Sequence, residues 1–181
     1  MQMKAPAFNT ISPQFLLLLP IISIAADAAA GPATVCSFLG ASYVSYDYCM
    51  AVLSSDPRSS TADPHGLALI TDDLALANAT AVRSTIELLL KNSSDPFIHT
   101  CLSHCQKIYE GAISDVRKAA NATARRNYAA AEALFDGVLN APADCEATFS
   151  AGPVASSPIV KEDNEFSDIA CLGRAINNYL K

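Results

Sequence analysis

The chain has 181 residues, of which 51% are hydrophobic, and a formal net charge of −6 at pH 7. Even without an N-terminal leader, about 150 residues remain, which suits one domain with a proper core. The acidic balance argues against nucleic-acid binding, which usually needs a basic face; it favours a basic partner attracted over a distance, or simply solubility.

The first 30 residues have the pattern of a secretory signal peptide. Lys4 is the only charge before Asp27, an apolar run covers residues 15–26, and small residues up to Ala30 offer a cleavage site. The run is shorter than the roughly 20 residues that span a membrane. We therefore expect residues 1–30 to be removed and residues 31–181 to form one exported domain without a membrane anchor.

Helical signals dominate the mature chain. Two short helical pieces are predicted around Cys36 and Cys49, and two long helices after Asp63-Pro64 and Asp95-Pro96, because aspartate caps a helix and proline suits its first turn. Apolar residues then recur every three or four positions. The first stripe is Leu67, Ile70, Leu74, Ala77, Ala81, Ser84 and Leu88, and the second is Ile98, Leu102, Cys105, Tyr109, Ala112, Val116 and Ala119.

Two further helices complete the pattern. The third stripe is Tyr128, Ala131, Phe135 and Val138, ended by Pro142, and the fourth is Phe166, Ile169, Gly173, Ile176 and Leu180, with Asp163 or Asn164 as cap. The segment from Cys145 to about Asp163 is predicted to be an irregular surface loop. Four amphipathic helices predict an all-α fold, an antiparallel four-helix bundle preceded by a short N-terminal helical hairpin.

All six cysteines follow the leader, and an even number in an oxidising compartment favours disulfides. Cys36 and Cys49 are close in sequence, and the bundle topology makes a bridge from Cys105 to Cys145 sterically reasonable. Cys101 and Cys171 are expected at matching heights along the second and fourth bundle helices. They either form a third disulfide or stay as buried free thiols.

Other chemistry has little support. A metal site at His99, Cys101, His104 and Cys105 would leave other cysteines unpaired, so no metal or cofactor is expected. No nucleophile elbow, phosphate loop or metalloprotease motif occurs, and Asp72-Asp73 is interpreted as a solvated face near a helix start. The chain is therefore not expected to be an enzyme. Three sequons, which fit the secretory route, begin at Asn78, Asn92 and Asn121.

An ordered set of short segments resembles the plant invertase/pectin methylesterase inhibitor family, in the branch of invertase inhibitors that includes pollen allergens. The segments are Cys36 with Tyr46-Asp-Tyr-Cys49, Leu53-Ser-Ser-Asp-Pro-Arg58, Leu67-Ala-Leu-Ile70, Cys105-Gln-Lys-Ile-Tyr109, Asp144-Cys-Glu146 and Arg174–Leu180. The resemblance implies a monomeric, disulfide-stapled bundle exported to the plant cell wall, or to the vacuole, that binds a target enzyme. It also implies the pairs Cys36–Cys49 and Cys105–Cys145, and leaves Cys101 and Cys171 without inherited partners.

The family divides between two targets. The resemblance implies that invertase inhibitors insert a Pro-Lys-Phe element, whose position here holds Arg126-Asn127-Tyr128, with Arg125 close by. Pectin methylesterase inhibitors instead cover the pectin groove with bundle helices two and three, where the matching surface is Lys107, Glu110, Ser114, Arg117 and Lys118. We expect a one-to-one, steric inhibitor of pectin methylesterase. The alternatives are an inhibitor of acid invertase and a non-inhibitory helical storage or defence protein.

Overall fold

The computed structural model of the chain describes residues 31–40, 43–150, 152 and 157–181, so the predicted leader lies outside the described residues. Seven α-helices and one short 3-10 helix cover most of this part of the chain, and no strand occurs in it. None of the described helices combines the length and the apolar character needed to cross a membrane. The helices are α1 (Pro32–Leu39), α2 (Tyr46–Ser54), the 3-10 helix (Pro57–Thr61), α3 (Pro64–Asn92), α4 (Pro96–Ala124), α5 (Tyr128–Val138), α6 (Asn140–Phe149) and α7 (Val160–Tyr179).

The two longest helices begin where the sequence predicts. Asp63 accepts a hydrogen bond from the backbone N–H of Gly66 at 2.7 Å, and Asp95 accepts one from the backbone N–H of Phe97 at 2.8 Å. Each aspartate satisfies a donor that has no partner inside the helix. The prolines that follow cost no hydrogen bond, because the N–H that proline lacks would have no partner in the first turn of a helix.

Helices α3, α4, α5 and α7 form the bundle. Helix α3 packs on α4 and α7, and α5 packs on the same two, so α4 and α7 occupy diagonal corners. The side chains of Tyr109, Phe135, Phe149 and Phe166 fill the centre and are fully buried. The predicted all-α bundle with an N-terminal hairpin is confirmed.

The predicted stripe of α3 is wrong beyond its first half. Ala77, Ala81, Ser84 and Leu88 are exposed, and Leu88 keeps 60% of its surface. The buried row instead runs through Ala75, Ala79, Val82 and Ile86. Alanines and leucines lie on several sides of α3, so spacing alone does not select the row. The alanine row faces the core because small side chains let neighbouring helices approach closely.

The predicted loop after Cys145 is much shorter in the structure. Pro142 does not end the helical region, since it lies in the first turn of α6, where proline is tolerated. Helix α6 continues to Phe149, and α7 begins at Val160 rather than near Asp163. Asp163 is therefore a buried residue of the first turn and not a cap.

Two disulfides staple the molecule. Cys36 joins α1 to Cys49 of α2 with a Cα–Cα distance of 5.6 Å, and Cys105 joins α4 to Cys145 of α6 with a distance of 4.8 Å. These are the pairs that the resemblance implies. The hairpin of α1 and α2 has its own small core, in which Leu39 and Leu53 meet the start of α3 and the end of α7.

Two hydrogen bonds fix the register between the diagonal helices. The hydroxyl of Tyr109 on α4 donates to Asp163 on α7, and the hydroxyl of Thr123 donates to the side-chain oxygen of Asn177 at 3.2 Å. Both pairs are separated by 54 residues in sequence. The two helices are therefore parallel, and each residue of α4 is level with the residue of α7 that lies 54 positions later.

This register explains why Cys101 and Cys171, which the sequence left either as a third disulfide or as free thiols, do not pair. Cys171 is level with Arg117, 16 residues beyond Cys101, which is about 24 Å along the axis at a rise of about 1.5 Å per residue. A disulfide requires Cα atoms within about 7 Å. Both residues are free thiols, Cys101 buried and Cys171 half-buried.

Candidate functional site

The five residues that the sequence singles out on the second bundle helix form one exposed stripe. All five are exposed on α4, and their spacing of three, four, three and one residues keeps them on one side of the helix. The stripe is about 16 Å long by the helical rise. It consists of Lys107, Glu110, Ser114, Arg117 and Lys118.

A shallow groove runs beside this stripe. It has a volume of about 260 Å³ and lies between α4 on one side and α5 and α6 on the other. Gly111 of α4 and Gly137 of α5 line it, and a Cβ atom added to either glycine would meet nothing within 4 Å. The two missing side chains leave the groove open. We call the exposed stripe together with this groove the α4 surface.

The turn between α4 and α5 carries the second predicted cluster. Arg125, Arg126 and Asn127 are exposed, and Arg126 adopts a φ of 58°, a left-handed conformation that few non-glycine residues take. Tyr128 is half-buried, and its hydroxyl accepts a hydrogen bond from Arg126 at 3.2 Å and lies 3.1 Å from Nδ1 of His65. The tyrosine is thus held against the start of α3 instead of projecting freely.

The α4 surface and the adjoining turn are basic, in contrast to the chain as a whole. The carboxylates among these residues are Glu110, Asp144 of the groove and Asp115, which pairs with Lys118 at 2.8 Å, so the two arginines of the turn make the region basic. A basic region on an acidic protein suits an acidic partner face, which is the reverse of what the net charge indicates. The cationic side chains are Lys107, Arg117, Lys118, Arg125 and Arg126.

Sequence analysis missed a pair of carboxyl groups between α6 and α7, the half-buried Glu146 and the buried Asp163. Asp163 is 1% exposed and accepts a hydrogen bond from Tyr109. Burial raises its pKa to about 8, and hydrogen bonding to Glu146 adds to this rise. Glu146 in turn accepts hydrogen bonds from the backbone and hydroxyl of Ser157. Cys145 lies within 4.8 Å of both carboxyls, but its sulfur belongs to a disulfide, so the group is not a metal site.

Asp72 corrects another interpretation of the sequence. It is fully buried, whereas its neighbour Asp73 is exposed and pairs with Arg58 at 3.0 Å. Neither carboxyl oxygen of Asp72 has a hydrogen-bond partner among the described residues. Burial raises its pKa to about 7, a rise that the nearby Thr123 hydroxyl partly opposes. Asp72 continues the row of Ala75 and Ala79 towards the start of α3, and this register is the signal that could have revealed its burial.

The three sequons differ in their surroundings. Asn92 and Asn121 are exposed near the ends of α3 and α4, whereas Asn78 is half-buried in the middle of α3. The Nδ2 atom of Asn121 donates to the carbonyl of Arg117 at 3.0 Å. Glycosylation at these positions stays a prediction, and a glycan at Asn121 would lie beside the α4–α5 turn.

Comparisons with known proteins agree with this architecture. The family model described as plant invertase/pectin methylesterase inhibitor matches residues 32–176. A protein from Platanus acerifolia, named "Putative invertase inhibitor", is 31% identical over 137 residues, which cover 76% of each chain. A pectinesterase inhibitor from Actinidia deliciosa is 28% identical over 136 residues, which cover 73% of this chain and 71% of its own.

A solved structure supports the fold. The crystal structure of mutant form A of a pectin methylesterase inhibitor from Arabidopsis matches with a TM-score of 0.70 at 18% identity, covering 81% of this chain and 97% of that one. At this identity the likeness concerns the fold alone. The family model spans the hairpin and nearly all of the bundle, and the resemblance seen in the short sequence segments is confirmed. The chain belongs to the plant invertase/pectin methylesterase inhibitor family.

Proposed function

We propose that the protein is not an enzyme but a secreted inhibitor of pectin methylesterase, which it blocks by covering the substrate groove with the α4 surface in a one-to-one complex. Membership of the family supports an inhibitor of either pectin methylesterase or invertase. Relatives named pectinesterase inhibitors from Actinidia, Arabidopsis and Oryza support the first target. A relative from Arabidopsis thaliana named "Cell wall / vacuolar inhibitor of fructosidase 1" supports action in the cell wall or vacuole, although its named target is that of the second candidate.

The exposure of the α4 surface is the observation that carries this choice of target. The stripe and its groove form a long, uncovered helical face, which suits occlusion of an extended polysaccharide-binding cleft. Insertion into a deep active site would need a projecting anchor. Tyr128 is a poor one, because it is half-buried and hydrogen-bonded towards α3 through His65.

We place the groove of the α4 surface inside the interface of the proposed complex. A standard interface buries about 800 Å² on each partner, and a few central residues dominate its energy. The groove lies beside the stripe, between α4 on one side and α5 and α6 on the other, and a side chain of the enzyme that fills it would lose most of its contact with water. Filling the groove should therefore remove most of the affinity.

Inhibition of acid invertase is the second candidate. The relatives from Platanus acerifolia and Platanus orientalis, at 31% and 30% identity, are both named as invertase inhibitors. The exposed arginines of the α4–α5 turn, Arg125 and Arg126, would meet carboxylates of the enzyme in place of the lysine of other inhibitors. In this mode the turn, and not the groove, would dominate binding.

A titration of both enzymes separates the candidates. The oxidised mature protein is titrated side by side against a plant pectin methylesterase and a cell-wall invertase at about pH 6. The substitution Gly111→Leu should weaken inhibition of pectin methylesterase at least 30-fold, the size of a hot-spot loss. Its matched control, Ala81→Leu, makes a similar change at an exposed position of α3 and should leave inhibition unchanged.

The turn is tested separately. The double substitution Arg125→Ala, Arg126→Asn removes both charges, and asparagine tolerates the left-handed conformation at position 126. Inhibition of pectin methylesterase should fall less than fivefold. If the protein inhibits invertase but not pectin methylesterase, and the double substitution abolishes that inhibition, the proposal is overturned in favour of the second candidate. Failure to inhibit either enzyme would indicate the storage or defence alternative.

A further inference from the structure

A second groove lies on another side of the molecule, where the hairpin meets the bundle. Helix α2 forms one wall, and α3 and α7 form the other, enclosing a volume of about 370 Å³. Its apolar lining comes from Val52, Leu74 and Ile169, one residue from each helix. The volume falls within the range of about 300 to 1,000 Å³ that is typical of small-molecule sites.

Polar groups converge on this apolar floor. Tyr48, Asn78, Glu165 and Asp168 all line the groove. The side-chain oxygen of Asn78 is buried and has no hydrogen-bond partner among the residues that the structure describes. Since that oxygen is closed to solvent, the carboxylates of the exposed Glu165 and Asp168 are the polar groups that a ligand in the groove can reach.

The carboxylates give the groove a negative field. Asp168 forms no ion pair within the described part of the chain. Glu165 forms one, with Lys161 at 3.5 Å, and both side chains of that pair are largely exposed. Burial raises the pKa of Tyr48 to about 12, and the charges of Asp168 and Glu165 add to the rise. Both carboxylates are therefore close enough to act on a group inside the groove.

The cation that follows α2 in the chain is already engaged. Arg58, which follows α2, pairs with Asp56 at 2.7 Å and with Asp73 at 3.0 Å. It is therefore held by two carboxylates of its own and does not neutralise the groove. An apolar floor beside two acidic side chains is complementary to a molecule that joins an apolar body to a positive charge.

We infer that this groove binds a small organic cation, a protonated amine attached to an apolar ring or chain. The apolar body lies on Val52, Leu74 and Ile169. The ammonium group faces Asp168 and Glu165. This binding site goes beyond the proposed inhibition and uses no residue of the α4 surface, so the two activities can be measured independently.

Three probes of similar size and different charge test the inference. Phenethylammonium, 2-phenylethanol and 3-phenylpropanoate are titrated into the oxidised mature protein, made without N-glycans because Asn78 lies in a sequon, and binding is followed by calorimetry and by NMR shifts of groove residues. The cation should bind at least fivefold more tightly than the alcohol, and the carboxylate should not bind. Sodium chloride at 0.5 M should weaken binding of the cation, since salt screens the attraction between exposed charges.

Variants locate the site. Asp168→Asn should weaken binding of phenethylammonium roughly threefold, as expected for a partly exposed charge pair. The control Asp144→Asn removes an exposed carboxylate of α6 and should not change binding of the cation. Ala51→Phe, at an exposed position on the rim, should abolish binding of the cation without disturbing the core. Equal binding of the three probes, or unchanged binding in both Asp168→Asn and Ala51→Phe, would overturn the inference.

Discussion

Replacing the buried carboxyl of Asp72 with an amide should stabilise the protein at neutral pH and have little effect in acid. Asp72 is fully buried without a hydrogen-bond partner among the described residues, and burial raises its pKa from 3.8 to about 7. The folded state therefore holds this proton more tightly than the unfolded state. The resulting stability is present in full below about pH 4 and is lost as the pH rises to about 7.

The magnitude follows from the two pKa values of this one group. A shift of one unit corresponds to about 1.4 kcal/mol, so the shift of Asp72 gives an upper limit of about 4 kcal/mol. Local opening of α3 that admits water would lower this value. We expect Asp72→Asn to raise the free energy of unfolding by about 2 to 4 kcal/mol at pH 7.5. At pH 4 the expected change is below about 1 kcal/mol.

Urea unfolding followed by circular dichroism, with the disulfides intact and the ionic strength fixed, measures these differences. The control is the adjacent substitution Asp73→Asn, which removes an exposed ion pair with Arg58 and should cost at most about 1 kcal/mol at either pH. An equal effect of Asp72→Asn at pH 4 and pH 7.5 would refute the reasoning, because it would show that Asp72 does not change its protonation state between these values.

Two further predictions concern packing and thiols. A Cβ atom on Gly173 would lie 2.7 Å from the ring of Phe135, so Gly173→Ala should lower the melting temperature, at a cost of about 1 to 3 kcal/mol. The matched change Gly137→Ala, at an open helical position, should instead stabilise by about 0.5 to 1 kcal/mol; similar effects of the two changes would contradict the packing described. A thiol reagent should modify the half-buried Cys171 of the native protein and reach the buried Cys101 only after unfolding. A disulfide between these two residues, detected by mass spectrometry, would contradict the register of α4 and α7.

Local signals were sufficient for much of the fold. The Asp-Pro pairs at residues 63–64 and 95–96 predicted the starts of α3 and α4, because capping depends on neighbours within three residues. The stripe of α4 was correct from Leu102 to Ala119, because its buried residues recur every three or four positions on one side of the helix, and Ile98 is partly buried against the same core. The α4 surface could be anticipated for the same reason: residues away from such a stripe are exposed.

Features that depend on tertiary contacts were harder to predict. Asp163 looked like a helix cap, but packing of α7 beneath α6 buries it against Tyr109. Asp72 looked like part of a solvated face because the buried row of α3 was misassigned. The groove between the hairpin and the bundle joins Tyr48 to Asp168, which are far apart in sequence, and no local pattern indicates that they meet.

The matched hydrogen bonds between α4 and α7 bear on how members of this family can differ in length. Tyr109 and Thr123 are as far apart on α4 as Asp163 and Asn177 are on α7. A single-residue insertion between either pair would rotate one anchor by about 100° and break its hydrogen bond. Length changes should therefore accumulate in the connection before α7 and spare these four-turn intervals, unless both helices change together.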